Sequence, residues 1–183
     1  NAAACCAGVV DVDFDFPAND VLVNNGNANF ESKARELGLD DIGHTWSTLP
    51  FDIDGNGSLE LFVMNDIMLD AGLDDMRNIP FNDHRWSGFY FRDENGAYRR
   101  KMPPLQSFAG TPMGAAFCDP DKNGFMDLVI TDYPINFLFE FDTAQSMLRE
   151  WAGSAGIQQD FDSAPSIGWG VQCFDFNLDG LQD

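Results

Sequence analysis

Apolar residues occur along this chain in short runs, and stretches rich in Asp, Asn and Gly separate the runs. Three or four apolar residues between turn-forming residues are typical of short β-strands. The runs that predict strands in this way are Leu61–Val63, 88–91, Leu128–Ile130 and 136–139. Helix candidates are confined to two short segments, Glu31–Leu37 and Ala144–Trp151. The pattern therefore predicts an all-β fold with few and short helices.

The acidic stretches between the runs repeat one pattern, D-x-[DN]-x-[DN]-G-x-x-[DE]. The three copies cover residues 52–60, 119–127 and 175–183. A second feature repeats upstream, because a Trp or Met followed by Ser or Gly lies six and five residues before each first acid. These pairs are Trp46-Ser47, Met113-Gly114 and Trp169-Gly170. Repetition of this kind indicates a repeat architecture.

A fourth, weaker copy opens the chain at Asp13, Asp15 and Asp20, with Pro17 in place of the third oxygen donor. The first acids of the four loops are therefore about 39, 67 and 56 residues apart, which predicts a common unit with insertions, the clearest being residues 66–86. Each unit contains a strand, an acidic loop, a second strand and at least one further hairpin. That is the content of a four-stranded propeller blade. The predicted units are residues 7–45, 46–112, 113–168 and an incomplete 169–183.

Composition and charge narrow the choice of partners. The 183 residues are 44% apolar and 13% aromatic, which fits one folded domain. Acidic residues outnumber basic ones by 30 to 10, so the net charge is −20. Nucleic acid and anionic membranes repel such a polyanion, and acids in this excess either keep a surface soluble or bind cations. No apolar run reaches about 18 residues, so no membrane span is predicted.

The four cysteines follow no zinc-binding or CxxC spacing. Cys118 and Cys173 lie in apolar stretches just before acidic loops, which favours buried, unpaired thiols, with a disulfide as the alternative. The neighbouring Cys5 and Cys6 would be strained if they paired with each other. Cysteine usage therefore leaves the cellular compartment open.

The spacing of the acidic loop suits a hard divalent cation. Calcium takes six to eight oxygen ligands, and alternate donors at loop positions 1, 3 and 5 point several side chains into one concavity. Gly at position 6 allows the backbone to reverse, so that position 9 returns to close the shell. Position 7 would contribute a backbone carbonyl. The loop therefore predicts a calcium site in which the ion also stabilises the local structure.

Two other interpretations of the loop remain to be compared. An EF-hand needs a bidentate acid at position 12 and flanking helices, whereas position 12 is Val63 in one copy and Ile130 in another. A plain acidic turn is the second alternative, since Asp, Asn and Gly all favour turns. Three copies with one spacing and the same flanks favour the metal loop over both.

The loops and their flanks resemble a known family. The D-x-D-x-D-G-x-x-D loops resemble FG-GAP/VCBS repeats, as in the propellers of integrin α-subunits. Segment 24–39, NNGNANFESKARELGL, and segment 169–183, WGVQCFDFNLDGLQD, resemble blocks of the ASPIC/UnbV and cartilage-acidic-protein group. The resemblance covers nearly the whole chain except about 66–86. It implies a β-propeller, typically seven-bladed, with calcium in the hairpin loop between the first two strands of a blade.

The resemblance also implies the ligands, position by position. The side-chain ligands would be Asp52, Asp54, Asn56 and Glu60; Asp119, Asp121, Asn123 and Asp127; and Asp175, Asn177, Asp179 and Asp183. The position 7 carbonyls would be those of Ser58, Phe125 and Leu181. Glu60 is one methylene longer than the Asp usual in the family, and the loop around Asp13 is not counted. About three calcium sites are therefore predicted.

The function expected from these features is a non-catalytic, calcium-binding module that binds protein or glycan, or acts as a scaffold, outside the cytoplasm. The extracellular space, the periplasm or an organelle lumen would supply the calcium. A carbohydrate-active enzyme or lectin on the propeller is one alternative, and a structural subunit contacting its neighbours in a large assembly is another. His44 and His84 have no adjacent nucleophile pattern, which favours packing or surface roles. Between three and three and a half blades do not close a ring, so a fragment is expected, with a ring completed by two copies as the alternative.

Overall fold

The structure is a computed structural model that describes residues 18–66, 85–101, 111–133, 135–142, 147–158 and 168–183. Strands dominate these residues. The strands are β1 (Leu22–Asn24), β2 (Phe30–Ser32), β3 (Thr45–Phe51), β4 (Glu60–Asn65), β5 (Gly88–Arg92), β6 (Tyr98–Lys101), β7 (Gly114–Cys118), β8 (Asp127–Thr131), β9 (Phe137–Asp142) and β10 (Met147–Glu150). The helices are short, α1 (Ala34–Leu37) and α2 (Ala152–Ala155). The all-β prediction is confirmed.

The strands form three antiparallel sheets in chain order. β1 pairs with β2, β3 to β6 form a four-stranded sheet that we call sheet 1, and β7 to β10 form a second that we call sheet 2. In both four-stranded sheets every strand pairs with the next one along the chain. Each sheet is therefore a simple meander that opens with a hairpin containing an acidic loop.

The main core lies between the two four-stranded sheets. Sheet 1 contributes Phe62, Met64 and Phe89 to it, and these side chains are at most 1% exposed. Sheet 2 contributes Leu128, Ile130, Phe139 and Leu148. The first strands of the sheets also meet, because the rings of Phe51 and Phe117 stack with centroids 4.2 Å apart. The alternation of side chains along β3, half-buried then exposed, reflects one face turned to this core.

The other face of sheet 1 packs on the N-terminal part of the described chain. Val63 and Tyr90 project to this side and are buried against Leu39. Val21 and Leu37 pack around them. Because both faces of sheet 1 are covered, β4 is buried at nearly every position.

All four apolar runs that predicted strands lie in β4, β5, β8 and β9, although Asn136 itself precedes β9. The helix predicted at Glu31–Leu37 is shorter than expected, since Glu31 and Ser32 belong to β2. The helix predicted at Ala144–Trp151 is wrong, because β10 occupies Met147–Glu150 and α2 begins only at Ala152.

The reason for the second error is tertiary pairing. In β10, Leu148 lies opposite Phe141 and is buried, while Arg149 lies opposite Glu140 and forms an ion pair with it. Pairing with the edge of β9 and the burial of Leu148 in the core together outweigh the modest helix propensity of this segment.

Some sequence predictions lie outside the described residues. These are the loop at Asp13 and Asp15, nearly all of the insertion at 66–86, His84, and the pair Cys5 and Cys6. Within the described part, neither helix is long or apolar enough to span a membrane.

Candidate cation-binding loops

Three loops contain the repeated acidic pattern, and we call them loop 1 (52–60), loop 2 (119–127) and loop 3 (175–183). Loop 1 joins β3 to β4 and loop 2 joins β7 to β8. Loop 3 closes in the same manner, because Phe174 and Asp183 exchange two backbone hydrogen bonds of 3.4 and 3.0 Å. Strands flank loops 1 and 2, so the EF-hand interpretation is excluded for them.

The three loops share one backbone conformation. Position 6 is a glycine with φ between +84° and +86° in each loop: Gly57, Gly124 and Gly180. Position 4 also has positive φ in each loop, at Gly55 (70°), Lys122 (55°) and Leu178 (62°). Positive φ is uncommon for residues with a Cβ, so its recurrence at one loop position indicates a shared structural requirement.

Hydrogen bonds within the loops also repeat. The carboxylate at position 1 accepts from the N–H at position 6 over 2.8, 3.1 and 2.7 Å in loops 1, 2 and 3. The side-chain oxygen at position 5 accepts from the N–H at position 7 over 2.8, 2.7 and 2.8 Å. These bonds hold the side chains of positions 1 and 5 over the same small patch of backbone in every loop.

The loops differ in the hydrogen bonding of the acid at position 9. In loop 1 Glu60 accepts a 2.9 Å hydrogen bond from the N–H of Ile53 at position 2. In loop 3 Asp183 accepts one of the same length from Phe176. In loop 2 position 2 is Pro120, which has no N–H to donate.

Asp127, at position 9 of loop 2, consequently receives no hydrogen bond from position 2. It is fully buried, and neither of its oxygens has a hydrogen-bond partner among the described residues. Burial raises its pKa to about 7, and the charges of Asp121, Glu140 and Asp119 raise it too. A buried carboxylate without a partner destabilises a fold strongly, so this position is suited to a cation.

Loop 1 brings its acids closest together. Oxygens of Asp52, Asp54 and Glu60 all lie within 4.8 Å of one another, which is the one group of three metal-ligating side chains found among the described residues. Burial raises the pKa of Glu60, the N–H of Ile53 opposes this, and the charges of Asp54 and Asp52 add to the rise.

Loop 3 is more exposed. There the N–H of Leu181 and the side chain of Asn177 hold the pKa of Asp179 below its usual value. The ammonium of Lys122 in loop 2 lies near Gly180 and lowers that pKa further.

The donor set fits a hard cation. Carboxylate and amide oxygens are the ligands that calcium and magnesium take, and the loops supply no thiolate or imidazole. Cys118, the residue before loop 2, is bonded to Cys173 and so offers no thiolate. The chemistry such an ion would supply is electrostatic, because it would neutralise the clustered carboxylates and fasten two strands at their hairpin. The position 7 carbonyls of Ser58, Phe125 and Leu181 stay predicted ligands, since the bonds seen in the loops involve their N–H groups.

Three features of this region depart from the favoured sequence prediction or add to it. The prediction of unpaired thiols at Cys118 and Cys173 is wrong, because the two form a disulfide. Gln182 accepts a 2.7 Å hydrogen bond from the N–H of Asp119 and so joins loop 3 to loop 2. Pro120 was visible in the sequence, but its effect needed the hydrogen bonds of the other two loops for comparison.

His44 lies outside the three loops. It is half-buried before β3, and its carbonyl accepts a 2.9 Å hydrogen bond from the N–H of Asp66. The predicted packing or surface role is consistent with this position.

Comparison of the chain with models of protein families and with curated protein sequences finds no match. The resemblance to FG-GAP/VCBS repeats therefore rests on the loop motifs and their flanks alone.

Proposed function

We propose that loops 1 to 3 bind calcium and that sheets 1 and 2 are blades of a β-propeller. The propeller would act outside the cytoplasm as a non-catalytic module that binds protein or glycan, or serves as a scaffold. The observation that carries the proposal is the common conformation of the three loops, together with the fully buried carboxylate of Asp127, which has no hydrogen-bond partner in the part of the chain that the structure describes.

An ion in each loop would offset a definite electrostatic penalty. Each loop contains three carboxylates among its nine residues, and in loop 1 the carboxylate oxygens approach within 4.8 Å of one another. Like charges at this distance repel, and burial of Asp127 and Glu60 adds to the penalty. A divalent cation converts the repulsion into coordination, so folding and binding are coupled.

The arrangement of the sheets supports the propeller. Sheets 1 and 2 are four-stranded meanders that pack face to face in chain order, as successive blades do. In each of them the acidic loop lies between the first two strands. Repeats of this kind bury their core against their neighbours and leave a broad surface for contacts.

The disulfide and the loop chemistry support a location outside the cytoplasm. Disulfides such as Cys118–Cys173 persist in oxidising compartments. Extracellular calcium, which is millimolar, fills even weak loops.

Thermal unfolding with and without calcium tests the proposal. Calcium at about 100 times its dissociation constant stabilises a fold by about 2.7 kcal/mol, which corresponds to roughly 5–10 °C in a domain of this size. We expect the melting temperature in millimolar calcium to exceed that in excess chelator by this amount. The substitution Asp119→Ala should reduce the difference.

Glu94→Ala is the matched control, because Glu94 is an exposed acid in the β5–β6 turn, outside the loops. It should leave the calcium effect unchanged. Identical melting curves of the wild-type protein in calcium and in chelator would contradict the proposal.

A further inference from the structure

We infer that the three loops differ in calcium affinity, that loop 2 holds the ion most tightly, and that Pro120 is the residue responsible. This inference rests on the proposed function, since it ranks the sites that the proposal assigns.

In loops 1 and 3 one oxygen of the position 9 acid already accepts a hydrogen bond from the backbone. Ile53 donates its N–H to Glu60, and Phe176 donates its N–H to Asp183, both over 2.9 Å. An ion that uses such an oxygen has to compete with a charge-assisted hydrogen bond. The acid then binds through its remaining oxygen, or the hydrogen bond weakens.

Loop 2 has no such competitor. Pro120 stands at position 2, and both oxygens of the fully buried Asp127 are without a partner in the described chain. One oxygen of Asp119, at position 1, is also buried and unpartnered there. An ion in loop 2 therefore displaces no hydrogen bond from Asp127, and both oxygens are available to it.

The side-chain ligands of the loops do not explain a difference in affinity. Each loop has three carboxylates and one amide at positions 1, 3, 5 and 9. Lys122 stands at position 4 of loop 2, but its ammonium lies beside Gly180 and acts on Asp179 in loop 3. A positive charge at loop 3 weakens the binding of a cation there.

Loop 2 is also held in place at its start. Cys118, the residue before it, is bonded to Cys173. The N–H of Asp119 is held by Gln182 over 2.7 Å. A site whose ligands are already ordered loses less conformational entropy when the ion binds.

Calorimetric titration of the protein with calcium, after removal of bound metal, tests the ranking. The substitution Pro120→Ala supplies the missing N–H, so the tightest class of sites should bind about tenfold more weakly, the equivalent of one hydrogen bond. Asp127→Asn should abolish that class. Asp54→Asn, in loop 1, should leave it intact.

The converse substitution, which removes the N–H donor at position 2, can be made in loop 3. Phe176→Pro removes the donor to Asp183, and the residue before it tolerates a following proline, since Asp119 precedes Pro120 in a loop of the same conformation. Phe176→Pro should therefore strengthen binding in a weak class of sites. Phe176→Ala keeps the N–H and is its control.

The outcomes separate this inference from the proposal beneath it. If the wild-type protein binds no calcium, the proposed function fails and the ranking with it. If calcium binds but the tightest class survives Asp127→Asn, or is unchanged by Pro120→Ala, the ranking alone is overturned.

Discussion

Among single residues, Asp132 is a buried carboxylate that lies outside the loops. It follows β8, is fully buried, and accepts hydrogen bonds through one oxygen from Thr111 and from the N–H of Tyr133. Its other oxygen has no partner among the described residues. Burial raises its pKa to about 6, the bonds from Tyr133 and Thr111 oppose the rise, and the charge of Asp66 adds to it.

This residue predicts a pH dependence of stability. Because the pKa is higher in the folded than in the unfolded protein, the folded state holds the proton more tightly. The contribution of Asp132 is therefore present below about pH 4 and is lost as the pH rises through about 6. A shift of this size corresponds to about 3 kcal/mol.

The substitution Asp132→Asn should remove that dependence. We expect the difference in unfolding free energy, wild type minus variant, to fall between pH 4 and pH 7 when measured by denaturant titration in chelator. The subtraction removes the effects of the other acids. A difference that stays constant over this range would contradict the assignment.

Between the elements, the disulfide and Gln182 attach segment 168–183 to sheet 2. Cys173 is bonded to Cys118 at the end of β7, with Cα atoms 5.9 Å apart. At the start of β7, Gly114 lies so close to the carbonyl of Trp169 that a Cβ at this position would come within 2.2 Å of it. At residue 114 glycine is therefore required by the close approach of two chain segments.

The disulfide closes a loop with a sequence separation of 55 residues. Loss of such a cross-link typically destabilises a protein by about 2–4 kcal/mol, because the unfolded chain gains freedom. Reduction with a dithiol, and separately the double substitution Cys118→Ala with Cys173→Ala, should each lower the unfolding free energy by this amount in denaturant titrations. Equal stability of the oxidised, reduced and substituted proteins would show that the cross-link has no such role.

The sequence predicted the elements better than their connections. The short apolar runs identified strands correctly, because each run lies between loops that cannot continue a strand. The sequence-based prediction failed at Met147–Glu150, where pairing with β9 decides the conformation. It also failed at Cys118 and Cys173, since a disulfide depends on a distance that residues 55 apart do not reveal. The loop residues were predicted together by their spacing, whereas the burial of Asp127 depends on packing.

For the whole molecule, the main consequence is that the loops and the core support each other. Phe62 lies two residues after the first residue of β4, and Leu128 directly follows the first residue of β8. Both belong to the core between sheets 1 and 2. Glu60 and Asp127, which begin the same strands, are the position 9 acids. An ion at a loop would therefore fix the end of a strand whose next residues fill the core, and its loss would be felt in the packing of both sheets.

The most direct test is a crystal structure of the protein grown in millimolar calcium, with anomalous diffraction used to locate the ions. We expect one anomalous peak in each of loops 1, 2 and 3, with carboxylate oxygens at about 2.3–2.6 Å. We also expect Asp127 to contribute to the shell in loop 2. Ordered loops without a peak, at a calcium concentration that fills weak sites, would contradict the assignment of calcium to these loops.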